Sequence, residues 1–373
     1  MDALTSGRRG APHVVIAHEW LTNMAGSEAV VKQLCEVFPQ ATLMFGVADP
    51  ALAEREFPGR KYKSVLSPRL PGILQHWQRY APVLIAAWRQ QRVDCDLLIV
   101  SSHFAAQQLA VKNEASLVVY YHSPMRFAWR MDLERGRFPR GVAPIVERSL
   151  PILQRVDRRA GQRPGIKLAN SRATADRVWD AYGVTARVVS PPVGPEMTAS
   201  AIDEATPRSH FLVFGRLVAY KRADIAIEAC TKMNLPLIVA GTGPEECRLR
   251  AIAGPSVTFV GHVTDSRKWE LLRGARALLF PGEEDFGIVP VEALAVGTPV
   301  IALGRGGVLD SVAHMDTGVL YSDDSVTGLE TAITEFMGAG PFDVERLRAR
   351  AEQFSDVMFR TRFLDAVSHD SNV

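Results

Sequence analysis

The chain reads as α/β, two doubly wound parallel-sheet domains, and three observations predict this. Its 373 residues exceed what one ordinary domain holds. Short apolar runs of strand type alternate with helical stretches, and the alternation stops and restarts around a proline-rich break. With 47% hydrophobic and 23% charged residues there is ample core material, which excludes collagen-like, low-complexity and wholly disordered chains.

In the first half the runs are His13–Ala17 (HVVIA), Leu97–Ser101 (LLIVS), Leu117–Tyr121 (LVVYY), Lys167–Ala169 (KLA) and Arg187–Ser190 (RVVS). They are nearly continuous in Val, Ile and Leu, as parallel strands buried on both faces must be. The break at Pro191-Pro192-Val193-Gly194-Pro195, with the polar stretch Thr198–Ser209 after it, predicts a linker. The second half resumes with His210–Phe214, Leu237–Ala240, Val257–Val260, Ala277–Phe280 and Pro299–Ala302, with helices over Ala223–Met233 and Arg267–Arg273 between them. Phe354–Val367 predicts an amphipathic helix that returns to the first domain, with Phe354, Val357, Met358, Phe363 and Leu364 available to pack. The domains are therefore expected at 1–195 with 354–373, and at 196–353. Ligands of open parallel sheets bind beyond the carboxyl ends of the strands, so two such domains facing each other would form a cleft with a site on each wall.

The formal net charge of +2 conceals an asymmetry: residues 1–200 carry 26 basic and 17 acidic side chains, and 201–373 carry 17 and 24. The basic half is expected to meet something anionic. From Phe57 to Val93 the chain holds Arg60, Lys61, Lys63, Arg69, Arg79, Arg89 and Arg92 without one acidic residue, and Trp77, Tyr80 and Trp88 lie among them. Such a segment suits an anionic membrane surface. Its rivals are a solvated face over core aromatics and nucleic-acid stacking, and no recognition motif supports the latter, so no nucleic-acid partner is expected. A second Arg-rich stretch, Arg126 to Arg163, is a candidate grip for a diphosphate. Four scattered cysteines lack the spacing of a zinc site or a disulfide framework. The chain offers neither 18 uninterrupted apolar residues nor the apolar region of a signal peptide. The expected location is cytoplasmic, peripheral on the inner face of the cytoplasmic membrane.

The segment richest in chemistry is Phe280–Gly307: a strand ending at Phe280, a Gly/acidic loop at Gly282–Gly287, and a helix beginning near Ile288 or Val289. Backbone N–H groups at Phe286, Gly287 and Ile288, with the helix dipole, would make an anion pocket suited to a diphosphate. Glu284 lies in the loop and Glu292 on the first turn of the helix. Two such carboxylates could hold two sugars by paired hydroxyls, although Glu292 could equally favour its helix start and Glu284 be solvated. At another strand end, Arg216 and Lys221 flank a loop, where a guanidinium and an ammonium can neutralise a diphosphate leaving group without metal. Asp94-Cys95-Asp96 mimics a metal-binding Asp-x-Asp but precedes a strand, where a polar turn is expected. Gly304-Arg305-Gly306-Gly307 could be a phosphate loop or a tight turn. No metal and no cofactor are expected.

In this order the blocks GRLVAYK, AGTGPE, FVGHV and EEDFGIVPVEALAVGTPVIA resemble the family 4 retaining glycosyltransferases of the GT-B fold. AHEWLTNMAGSE, SSHFA, YYHSPMRFAW and ANSRATADRV resemble the bacterial mannosyltransferases that build exopolysaccharide and O-antigen units on lipid carriers. The resemblance implies that Arg216 and Lys221 bind the donor diphosphate and that Glu284 contacts the transferred sugar. It implies that Glu292 binds the ribose, that His122 lies beside the sugar, and that the turn at Gly26-Ser27-Glu28 approaches the diphosphate. Relatives commonly carry two glycines where this chain has Ala25-Gly26. The block containing Val263, Asp265 and Lys268 is similar to the base-binding segment. A buried Asp265 carboxylate could accept the paired N1–H and N2–H of guanine, whereas uracil offers one donor; the alternative is that Asp265 caps its helix. The implied donor is GDP-mannose and the implied acceptor a polyprenyl-diphosphate-linked saccharide. The rivals are a UDP-sugar transferase, an epimerase of the same fold, and a catalytically silent nucleotide-sugar-binding protein.

Overall fold

A computed structural model describes residues 12–112, 114–131, 143–194 and 208–369. The chain divides into two compact units, Met1–Pro192 with Asp356–Val373, and Val193–Ser355. Among the described residues the first has nine strands: β1 (Val14–Leu21), β2 (Thr42–Ala48), β3 (Tyr62–Ser64), β4 (Arg92–Val93), β5 (Leu97–Ser102), β6 (Ala110–Val111), β7 (Ser116–Tyr121), β8 (Ile166–Ala169) and β9 (Arg187–Val188). Seven form a parallel sheet in the order β3-β2-β1-β5-β7-β8-β9, and β4 and β6 pair separately. The second unit has six, β10 (His210–Phe214), β11 (Leu237–Ala240), β12 (Val257–Gly261), β13 (Ala275–Phe280), β14 (Val300–Leu303) and β15 (Gly318–Tyr321), in the parallel order β12-β11-β10-β13-β14-β15.

In both units the strand order reverses beside the first strand, which opens the switch-point crevice where ligands of such sheets bind. The central strands are apolar on both faces because helices cover both: β1 registers Ile16 with Leu43 on one side and with Ile99 on the other, all buried. Apolar continuity therefore exposed most strands in the sequence. It missed β2, β3 and β15 of the two main sheets, and the short pair β4 and β6. In β2 (TLMFGVA) the glycine is required by close approach: a Cβ on Gly46 would lie 2.3 Å from the Glu19 carbonyl and 2.9 Å from the Trp88 indole nitrogen.

Helix Asp356–His369 belongs to the first unit, as expected. Its packing face differs from the expected one. Phe359, Phe363, Ala366 and Val367 are buried in the core with Leu34, Phe38 and Tyr120, whereas Val357 is 60% exposed and Leu364 exposed. Phe354 precedes the helix and packs in the other unit, beside Phe286. The expected linker falls mostly on residues 195–207, outside the described residues.

Candidate functional site

In the second unit the site grows from the carboxyl ends of β10 and β13. Strand β10 runs into Gly215, whose φ of +135° turns the chain toward the exposed Arg216, and a short turn, Ala219–Lys221, delivers Lys221. The loop after β13 packs directly on it: a Cβ on Gly282 would sit 2.6 Å from Lys221 Cα. This contact sets Lys221 Nζ 2.7 Å from Glu284 Oε1. Burial disfavours the ammonium, but the Glu284 carboxylate outweighs it and raises the Lys221 pKa. Gly215, Arg216, Lys221, Gly282 and Glu284 line one pocket. Gly306 and Gly307 hold its acidic loop from behind, since Gly307 N–H donates to the Glu284 carbonyl at 2.9 Å. Of the two readings of Gly304–Gly307, this is the tight turn.

Helix Ile288–Ala295 starts at Gly287, whose φ of +84° admits little but glycine, and no side chain caps it. Glu292 is the fifth helical residue and so stands on the second turn, not the first as expected. It is not free: Lys268 Nζ lies 2.9 Å from Glu292 Oε1 and 4.4 Å from the Trp269 ring centroid. Asp265 departs from expectation on both readings. Its side chain is 87% exposed rather than a buried acceptor, and the helix Asp265–Arg273 is capped by Thr264, whose hydroxyl accepts from Arg267 N–H. Val263 is half-buried against the core beside this segment.

In the first unit the ends of β1, β5 and β7 bring His122 and Glu28, both expected near the donor, together with His18, Ser101 and His103, which had no assigned role. His122 follows β7, and its Nε2 lies 2.8 Å from Ser101 Oγ on β5. Ser101 Oγ lies 3.0 Å from His18 Nδ1 on β1, and His18 Nε2 lies 3.4 Å from Glu28 Oε1. Glu28 accepts in turn from Ala25 N–H and from the Ser27 hydroxyl, which fixes the helix that begins at Gly26. His103 completes a trio of imidazoles with centroids 5.8–6.2 Å apart. Burial drives the His122 pKa down to about 3 and that of His103 well below its usual range. The neighbouring Glu19 is fully buried, and its carboxylate accepts from the Ser102 hydroxyl and from the backbone N–H groups of Phe104, Ala105 and Ala106. All of these acidic and imidazole groups except His103 lie in the blocks AHEWLTNMAGSE and YYHSPMRFAW. The available signal was polarity within or directly after apolar strands, His18 and Glu19 inside β1 and His122 just past β7.

The basic segment separates into working groups. Lys61, Lys63, Arg69, Arg79, Arg89 and Arg92 are exposed, with Val83 among them at 53% exposure. Arg60 instead donates to the Cys35 and Pro39 carbonyls, where it satisfies the end of helix Gly26–Val37. Trp88 is fully buried, so it is a core residue and not a membrane-facing one. Trp77 is half-buried and stacks on Trp20 with centroids 3.6 Å apart. In the second Arg-rich stretch, Arg158 and Arg163 donate to backbone carbonyls; residues 132–142 lie outside the described residues.

Residues 199–354 match the family model for glycosyl transferases group 1. The human alpha-1,3/1,6-mannosyltransferase ALG2 is 29% identical over 206 residues, 46% of this chain and 49% of that protein. A GDP-mannose-dependent alpha-(1-6)-phosphatidylinositol dimannoside mannosyltransferase of Mycobacterium tuberculosis is 36% identical over 123 residues, 31% of this chain and 32% of that one. The chain thus spans half or less of the length of these curated relatives. Among solved structures, Anabaena HepE in complex with UDP-glucose superposes with a TM-score of 0.67 at 18% identity, over 95% of this chain and 99% of that one. Residues 199–354 thus match the glycosyl transferases group 1 family model, within a chain whose two parallel-sheet α/β domains have the GT-B fold.

Proposed function

We propose that the protein is a retaining glycosyltransferase that moves mannose from GDP-mannose to a polyprenyl-diphosphate-linked saccharide at the inner face of the cytoplasmic membrane. The observation that carries this reading is the Arg216, Lys221 and Glu284 group at the strand ends of the group 1 domain. As the glycosidic bond to the donor diphosphate breaks, negative charge gathers on the leaving phosphate. Arg216, Lys221 and the amides before Ile288 meet it with preorganised donors, and no metal is needed in this scheme. In the free protein Glu284 neutralises Lys221. An arriving sugar would redirect that carboxylate to hydroxyl groups and free the ammonium for phosphate. Glu292, steadied by Lys268, would take the ribose. His122 would position the sugar, and substitution on the same face would be assisted by the leaving phosphate.

GDP-mannose is supported by the mannosyltransferase relatives, one of which is named for that donor. The exposure of Asp265 favours a second reading, a UDP-sugar donor, because an exposed carboxylate loses little when guanine is absent. Calorimetry with GDP and UDP separates the two: at least tenfold tighter GDP binding supports the first, and the reverse order replaces it. A transfer assay with GDP-mannose and short lipid-diphosphate acceptors tests the reaction. Donor binding without transfer to any such acceptor would reduce the protein to a nucleotide-sugar-binding module, and conversion of donor alone would make it an epimerase.

A further inference from the structure

The chain of contacts from Glu28 to His122 has a direction. Ser101 O, a carbonyl that can only accept, lies 3.2 Å from His18 Nδ1, and Ser101 Oγ lies 3.0 Å from the same nitrogen. Nδ1 of His18 must therefore carry a proton. His18 Nε2 faces Glu28 Oε1 at 3.4 Å, with both side chains buried, so a proton between them keeps two acceptors from opposing each other. With His18 Nδ1–H donating to Ser101 Oγ, the single hydroxyl proton of Ser101 is left for another partner, and His122 Nε2 at 2.8 Å is the acceptor within its reach. The backbone of His122 is held as well, because its carbonyl accepts from Asn170 Nδ2 at 3.0 Å and its N–H donates to the Ser102 carbonyl at 2.9 Å.

We propose that Glu28, His18 and Ser101 form a positioning relay that locks His122 in the neutral tautomer protonated on Nδ1. His122 then offers a hydrogen-bond donor from Nδ1 and keeps Nε2 occupied as an acceptor. It suits a sugar oxygen that needs a donor and is unsuited to taking a proton. This inference rests on the proposed role of His122 beside the transferred sugar. Glu28, His18 and Ser101 are positioning residues, since they act through the imidazole of His122.

The test reads the imidazole directly. In full-length protein labelled with 15N-histidine, His122 is assigned by comparison with His122→Asn, and its two ring-nitrogen shifts report the tautomer at pH 7. The relay predicts a protonated Nδ1 and an unprotonated Nε2. Ser101→Ala moves His122 toward the other tautomer or an even mixture, Ser101→Thr restores the wild-type shifts, and Glu28→Gln perturbs the His18 resonances first. A wild-type His122 protonated on Nε2, or shifts unmoved by Ser101→Ala, overturns the relay. Turnover supplies the separate arm: Ser101→Ala is expected to lower kcat about tenfold, the order of one hydrogen bond, with donor KM little changed and recovery in Ser101→Thr. A shifted tautomer with unchanged kcat would leave the relay standing and remove His122 from the reaction, which is the failure of the underlying reading and not of the relay.

Discussion

At the scale of single residues, the second-unit site is held by two lysine–carboxylate pairs, Lys221 with Glu284 and Lys268 with Glu292. Lys221→Ala is expected to lower turnover by about 10²-fold or more at saturating donor, as removing one preorganised charge-stabilising donor does elsewhere; near-normal kcat would discard its role. The imidazoles make a pH prediction of definite sign. His103 and His122 are neutral in the fold with depressed pKa values, while the unfolded chain protonates them near 6.5. Their stabilising contribution is fully present above about pH 6.5 and is lost as pH falls toward the folded-state values. Near pH 5 His122 makes unfolding easier by about 1.4 kcal/mol per pH unit of acidification, and His103 acts in the same direction. Denaturant midpoints measured from pH 7 to pH 5 should fall, and His103→Asn should flatten that slope. These residues were visible in the sequence as polar letters directly after apolar strands, but only His122 was given a role. Pairing with Ser101 and Glu28 depends on strand register, and no spacing in the chain displays it.

At the scale of elements, two joints hold the first unit together. Helix Asp356–His369 contributes Phe363, fully buried against Phe38 and Phe359. Phe363→Ala is expected to cost about 3–5 kcal/mol, whereas Val357→Ala on the exposed side should change stability by less than about 0.5 kcal/mol. Chemical denaturation of the two variants checks both. The amphipathic pattern of 354–367 announced a helix but not its buried face, because Phe354 is spent on the other unit's core. The second joint is Asp157 in helix Ala143–Gly161, which accepts from Trp129 Nε1 and the Tyr182 hydroxyl at 2.7–2.8 Å and also from Gln107 Nε2. Burial raises its pKa to about 6, above the unfolded value of 3.8. Its contribution is thus fully present below about pH 3.8 and is lost as pH rises through about 6, opposite in sign to the histidines. Asp157→Asn should therefore steepen the loss of stability on acidification between pH 4 and 6 by about 1 kcal/mol per pH unit. An unchanged slope would mean that this carboxyl does not titrate there.

At the scale of the whole chain, the hidden charge split resolves into distinct tasks. Of the nine residues assigned to the membrane and acceptor, Arg60 and Trp88 serve the fold, and Trp77 stacks on Trp20. The six exposed cations remain candidates for an anionic surface, and among the described residues no helix is long and apolar enough to cross a membrane. Replacing Arg79, Arg89 and Arg92 by Gln should weaken binding to anionic vesicles about 10²-fold, at about 1 kcal/mol per charge, while leaving GDP affinity unchanged; co-sedimentation that survives the change would return the segment to solvated surface. Apolar runs and their glycine-bounded loops were enough to predict two parallel α/β domains, and the order of the motif blocks carried the resemblance to family 4 glycosyltransferases, in line with the group 1 model that matches residues 199–354. Those properties are local: a strand covered on both faces must be apolar along its length, and a strand-to-helix loop needs its glycines in place. Which polar groups meet was decided by the tertiary structure. The burial of Trp88, the exposure of Asp265, the pairing of Glu292 with Lys268 and the Glu28–His18–Ser101–His122 chain all arise between segments far apart in sequence or from helix phase, where a shift of one residue moves a side chain to another face.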